Sequence, residues 1–157
     1  MARDLQSEIK QKKPFQLREE ELFLNIVRTA DLLQRKGTDL LKTLDLSPNQ
    51  YNVLRILRGA GAEGLACGEV GDRMVTRDPD ITRLLDRLEK RDLVKRAREK
   101  GDRRVVTARI TPNGLDILKK LDEPVAQNHK AQLGHLDAKQ QETLIHLLEL
   151  ARERARS

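Results

Sequence analysis

LVKRAREKGDRRVVTARIT, residues Leu93 to Thr111, is the stretch that decides the fold. Val94, Arg96 and Arg98 alternate with Lys95 and Ala97, and Val106, Ala108 and Ile110 alternate with Val105, Thr107 and Arg109. A period of two predicts two β-strands. Lys100-Gly101-Asp102-Arg103 lies between them, and Gly101 is expected to supply the positive φ of a tight turn. Strands this polar predict a two-stranded flap with one solvated, cationic face. Just upstream, Ile81–Arg91 (ITRLLDRLEKR) has the spacing of a short amphipathic helix. A helix running into a charged hairpin is the layout of a winged helix-turn-helix, a shape suited to reading duplex DNA.

The charge supports that layout. Of the net +6, residues 71–110 hold 13 basic and 8 acidic side chains, a difference of +5. Residues 93–109 alone hold 7 basic and 2 acidic, again +5. A basic run is ordinarily a solvated surface. On a hairpin that follows a helix-turn-helix pattern, it points instead to phosphate contact, where each cation releases condensed counterions.

The 157 residues suit one domain with helical extensions. The chain is 38% hydrophobic and 36% charged, which predicts a modest core beneath a heavily charged surface. No apolar run approaches the roughly 18 residues needed to span a membrane. The opening MARDLQSEIKQKKPF has no apolar signal-peptide core, and the single Cys67 excludes an internal disulfide framework. The expectation is a cytoplasmic protein.

Outward from the hairpin, helical spacing recurs. Leu22, Ile26, Ala30, Leu33, Leu40 and Leu44 predict a long first helix from about Leu17 to Leu44, with Gly37 inside it at a close helix contact or a bend. Ser47 and Pro48 read as the cap and first residue of a second helix with Tyr51, Leu54 and Leu57 on one face, stopped by Gly59 and Gly61. A short third helix, Cys67 to Met74, presents Val70 and Met74. The fourth buries Ile81, Leu84, Leu85 and Leu88, with Thr76 or Asp78 as cap. Thr111-Pro112 restarts a helix with Leu115, Leu118, Leu121 and Val125 inward, which Pro124 should kink or break. Asp137, with Gln140 three residues on, opens the last helix. The expected order is ααααββαα: mainly α with a small β-wing.

These residues carry a resemblance. ITRLLDRLEKRDLVKR, the following DRRVVTARITPNG with Asp102, Arg104, Ile110 and Thr111 at the positions of a wing signature, and LSPNQYNVLRIL together resemble the MarR (multiple antibiotic resistance regulator) family of transcription factors. The match covers about Leu17 to Leu150. It implies a winged helix-turn-helix over residues 46–111, flanked by dimerisation helices at 1–45 and 112–157. It further implies a homodimer on a pseudo-palindromic operator, with the recognition helix in a major groove and the wing at the adjacent minor groove. The apolar stripes argue for dimerisation independently, since Leu22, Ile26, Leu144, Leu147 and Leu148 have too little else in one chain to cover them.

The DNA-facing residues expected are Thr76, Arg77, Asp80, Thr82, Arg83 and Arg87 at the recognition helix, and Lys100, Asp102, Arg103 and Arg104 at the wing. Arginine can hydrogen-bond guanine O6 and N7 together, and threonine can meet a thymine methyl. The chain departs from the family in Arg77-Asp78-Pro79-Asp80, where the family has small polar residues around Arg-Pro. The two carboxylates either cap the helix or accept a bond from a cytosine amino group. The family also commonly takes an acidic aromatic effector, a phenolic or carboxylate compound, between its lobes. Leu24, Arg28 and Tyr51 are the pieces available for it here. Their plainer reading is a core tyrosine and an ordinary surface arginine.

Competing motifs are weak. Gly59-Ala-Gly61-Ala-Glu-Gly64 matches G-x-G-x-x-G by letter, but it follows a helix rather than a strand. His129, His135 and His146 have no metal-ligand spacing with one another or with Cys67. No nucleophile–base pair is visible, so no enzyme activity and no cofactor are expected. Two aromatic residues in a hundred are too few to stack single-stranded bases. Cys67 starts a helix, where the dipole could lower its pKa. The alternative to a ligand-released repressor is therefore a thiol-switched or effector-independent DNA-binding regulator.

Overall fold

In chain order the elements are α1 (Leu5–Glu8), α2 (Arg18–Lys42), α3 (Pro48–Ala60), β1 (Leu65–Ala66), α4 (Cys67–Asp72), α5 (Ile81–Lys90), β2 (Val94–Arg98), β3 (Val106–Ile110), α6 (Pro112–Leu133) and α7 (Ala138–Ala155). The computed structural model describes residues 4–155. Residues 1–3 and 156–157, at the outer ends of the first and last expected segments, lie outside the described residues. The expected mainly helical chain with a small β-wing is what is found, with α1 and β1 added to the expected order.

Local chemistry places several helix starts. Ser47 Oγ accepts from Gln50 N at 3.1 Å, and Gln50 Oε1 accepts from Ser47 N at 2.9 Å. This complete capping box, with Pro48 next, opens α3. Thr111 accepts from Gly114 N at 3.1 Å, and Pro112 follows as the first residue of α6. Asp137 and Gln140 exchange the same pair of bonds ahead of α7.

The wing is not a two-stranded flap. β1 joins β3 antiparallel, with Leu65 opposite Ala108 and Ala66 opposite Thr107, so the sheet order is β1-β3-β2. Ala108 and Thr107 are consequently buried, as is Val94 on β2. Two residues are too short for a periodic signal, which is why β1 is not visible in the sequence. The connection between β2 and β3 spans residues 99–105, longer than a four-residue turn, and it takes in Val105. It closes by Glu99 N donating to Val105 O and Val105 N to Asp102 O, both at 3.1 Å. Gly101 does not take a positive φ. The glycines that do are Gly61 and Gly64, both at +68°.

Gly64 is also where backbones meet. A Cβ there would stand 2.4 Å from Ala108 O. Gly64→Ala is therefore expected to destabilise the fold by about 2–4 kcal/mol, combining a left-handed backbone with overpacking. Urea unfolding of the variant against the parent measures it.

One core joins Leu41 and Leu46 to Val53, Leu54 and Leu57 of α3, Leu84, Leu85 and Leu88 of α5, Val94 and Ala108 of the sheet, and Leu118 and Leu121 of α6. Leu115, expected to point inward, is 42% exposed. The inward row of α6 is Gly114, Leu118, Leu121 and Val125, and Leu115 lies one residue round the helix from it. Pro124 does not break α6, which continues to Leu133. Proline removes one backbone hydrogen bond, to Lys120 O. The packing of Leu121 and Val125 against the core on either side holds the helix through it. Gly37 is accommodated in α2 where it faces α6, with Asn128 Nδ2 at 4.0 Å from an added Cβ.

The outer helices are left uncovered. α7 has no buried residue over its 18 positions. Leu22, Phe23 and Val27 of α2 are also exposed. The chain exposes 12220 Å². A compact monomer of 18.0 kDa should expose about 8,000 Å².

Candidate nucleic-acid interface

The side chains of α5 expected at DNA fall on one face because the helix is amphipathic. Its inward face is Leu84, Leu85 and Leu88, with Ile81 half-buried, and this leaves Thr82, Arg83 and Arg87 outward and exposed. Thr76 and Arg77 are exposed in the turn before it. That turn is tied to α3 by Val75 N donating to Asn52 Oδ1 at 2.8 Å. The Val75 side chain is 90% exposed, a position the sequence pattern did not single out.

Neither Thr76 nor Asp78 caps α5. The cap is Asp80, whose carboxylate accepts from Arg83 N at 2.9 Å. Asp78 instead stiffens the turn, accepting from Asp80 N at 2.9 Å and from Asn49 Nδ2 at 2.8 Å. The Asp80 bond, followed by that from Asn49, holds the Asp78 carboxyl below its usual range. Both acidic residues of the unusual Arg-Asp-Pro-Asp segment thus serve the local backbone.

The wing charge is not all free. Arg109 donates to Ala62 O at 3.0 Å and to Glu99 at 3.3 Å. Arg96 is paired with Asp86 and Glu89 of α5. Among the described residues, Lys95, Arg98, Lys100, Arg103 and Arg104 make no ion pair, and all are exposed. Asp102 accepts from the backbone N of Arg104 at 2.9 Å, so it shapes the loop that carries the two arginines. A hollow of about 440 Å³ has both Thr82 of α5 and Arg104 of the wing loop on its wall. The outer face of the helix and the cationic loop therefore adjoin.

The architecture has its counterpart in known proteins. The MarR family model matches residues 44–105. A MarR transcription factor of Planctomyces limnophilus is 43% identical over 88% of this chain and 99% of its own, with a TM-score of 0.67. The chain belongs to the MarR family. Other members with solved structures include a variant of MarR from E. coli complexed with operator DNA (26% identical, 95% of this chain and 99% of that one, TM-score 0.75). A third is the PcaV regulator of Streptomyces coelicolor in complex with its natural ligand (27%, 80% and 90%, TM-score 0.68). The chain spans about 60% of the length of the Bacillus subtilis regulators it matches, 62% for YsmB and 59% for MhqR. These relatives are transcriptional regulators rather than enzymes.

Other expected site residues of this MarR-family chain are dispersed. Tyr51 lines a cleft of about 1250 Å³ between α2, α3 and α6, and its hydroxyl accepts from Arg55 at 3.0 Å. Leu24 and Arg28 do not line that cleft. Arg28 lies more than three turns N-terminal to Leu41 on α2, beside Glu8 of α1, at 3.5 Å from its carboxylate. That is an ion-pair distance without hydrogen-bond geometry, so the buried Nε of Arg28 makes no hydrogen bond. The cleft's cations are Lys42, Arg87, Lys90 and Arg91. Arg91 was missed in the sequence. Its guanidinium donates to the carbonyls of Leu44, at 3.1 Å, and Asp45, closing the C-terminal end of α2. Arg58 was missed too, and makes a two-pronged bond at 2.9 Å to Asp122 that joins α3 to α6.

Burial pushes the Cys67 thiol up, against the lowering expected at a helix start. α4 is only six residues long, and a short helix has little dipole to offer. No group of three or more potential metal ligands occurs among the described residues. No helix among them is long and apolar enough to cross a membrane.

Proposed function

We propose that this chain is a cytoplasmic, homodimeric, sequence-specific regulator of transcription that binds duplex DNA and acts as a repressor released by a small anionic aromatic ligand. The observation that carries the DNA reading is the adjacency of Thr82 and Arg104 across one hollow. It sets an exposed arginine-bearing helix face and an unpaired cationic loop on the same side. The E. coli relative bound to operator DNA supports the same docking. In this reading Arg77, Thr82, Arg83 and Arg87 address the major groove and Lys100, Arg103 and Arg104 the minor groove. Residues 46–111 act as the reading module, and 1–45 and 112–157 as the dimerising segments. Gel shifts with duplexes selected from a randomised pool test it. Binding without sequence preference, or no binding, would end the reading.

The effector site fits the cleft better than the Leu24–Arg28 end of α2. Tyr51 supplies a ring wall there, and Arg91 a cation already tied to α2. PcaV, with its natural ligand bound, supports ligand control in a related chain. Two recognition helices must stand about 34–36 Å apart to enter successive major grooves. A ligand favouring another separation opposes DNA by linkage. Salicylate is expected to bind the chain and to weaken its operator affinity by about 5–150-fold at saturation, the usual span of allosteric coupling. Calorimetric titration with and without operator measures it. If bound salicylate leaves operator affinity unchanged, ligand release fails while DNA binding stands.

A further inference from the structure

Arg96 sits in the middle of the most basic stretch of the chain and yet turns away from solvent, its side chain only 20% exposed. β2 is an edge strand, so an N–H on its open side has no strand to pair with. That of Arg96 donates to Glu89 Oε1 at 2.9 Å. The guanidinium then gives Nε to Glu89 Oε2 at 3.1 Å and a terminal nitrogen to the same oxygen at 2.7 Å. That nitrogen also donates to Asp86 Oδ1. Both acceptors lie on α5, one turn apart, and Asp86 adjoins Arg87 of the outward face. Beyond Arg96 the hairpin is held by its own ladder, by Ala66 of β1 opposite Thr107 and by Arg109 on Glu99, and among the described residues it makes no further side-chain bond to α5. Ala97, Arg98 and residues 100–105 are exposed.

We propose that Arg96 is a positioning residue for DNA reading: with Asp86 and Glu89 it fixes the wing to the recognition helix, so that both elements meet the duplex at one set separation. The inference rests on the DNA-binding function proposed above. Charge-assisted bonds in a fork geometry hold direction as well as distance. The pairing also offsets one of the two negative charges that Asp86 and Glu89 bring to the reading helix. Consistent with a tight pair, the Arg96 bonds hold the Glu89 carboxyl below its usual range.

Glu89→Ala separates positioning from plain electrostatics. It removes a negative charge, so attraction alone predicts tighter binding to every duplex. Positioning predicts about tenfold weaker binding, the scale of one lost charge-assisted hydrogen bond, and only where the wing can reach DNA. The probes are a duplex selected by the parent chain from a randomised pool and the same duplex trimmed to its two major-groove half-sites. A loss on the long duplex with none on the trimmed one is expected. Equal or tighter binding to the long duplex, or an equal loss on both, would overturn the proposal. Should Glu89→Ala fail to fold, Asp86→Asn keeps every Glu89 bond and is judged by the same two duplexes, with a smaller loss expected. Hydrogen exchange examines the cluster without DNA. Breaking it should speed exchange at Val94–Arg98 at least tenfold and leave α3 and α6 unchanged. Unchanged exchange in the wing would refute the fixing role even if the parent chain bound no duplex, an outcome that by itself would count against the DNA reading alone.

Discussion

Leu147→Asp is expected to leave no folded, monodisperse protein. In an isolated chain the substitution would be almost harmless. Leu147 is 56% exposed, α7 buries none of its residues, and an exposed substitution usually changes stability by less than about 0.5 kcal/mol. In the proposed dimer the same side chain belongs to the shared core with Leu22, Ile26, Leu144 and Leu148. A carboxylate placed there in each protomer would cost several kcal/mol. That is a large part of the roughly 5–15 kcal/mol that holds a domain folded. The excess surface points the same way, since 12220 Å² is about half again what a compact chain of this mass exposes. Light scattering and circular dichroism of parent and variant decide the matter. A dimeric parent with an aggregated or unfolded variant is the expected pair. A stable folded monomer from either would remove the dimer from the proposal.

Replacing Arg103 and Arg104 together by alanine is expected to weaken binding to all duplexes by roughly a thousandfold, taking about 1 kcal/mol for each of four contacts in the dimer. The salt dependence should flatten as well. Each lost phosphate contact lowers the slope of log affinity against log salt by about 0.9, so four lower it by roughly 3 to 4. These arginines are chosen because no carboxylate pairs with them, whereas Arg109 is engaged by Glu99. Arg83→Ala should behave differently, costing roughly 1–3 kcal/mol at particular base pairs and little elsewhere. Affinities across several salt concentrations, on matched and mismatched duplexes, separate the two effects. Double-alanine protein that binds as the parent does, with the same slope, would exclude the wing from the interface.

Much of the architecture was legible because its causes are local. The capping box of Ser47 and Gln50, the Thr111-Pro112 start and the Asp137–Gln140 pair each involve residues within three positions of one another, and all three open helices where expected. The outward face of α5 was legible for the same reason. Burying Leu84, Leu85 and Leu88 leaves Thr82, Arg83 and Arg87 no other side. Local reasoning chose the wrong cap for α5, because Asp78 and Asp80 lie two residues apart and both have suitable carboxylates. The Asn49 amide of α3, 29 residues away in sequence, engages Asp78 in the turn, and Asp80 is left to cap.

By itself, then, the sequence determined what a residue's near neighbours dictate: helix starts, strand periodicity, the recognition face and the concentration of charge on the wing. Tertiary structure alone decided which of those charges are free. Arg96 and Arg109 look equivalent to Arg98 and Arg104 in the sequence, but α5 and the segment after α3 supply acceptors for the first two only. Packing likewise carried α6 through Pro124 and drew Leu65 and Ala66 into the sheet. It also parted Arg28 from Tyr51, since about four helical turns of α2 and a loop separate residues that a family likeness had placed at one site. Each of these outcomes depends on contacts between separate elements, and their free energy exceeds the local preference that spacing and composition express.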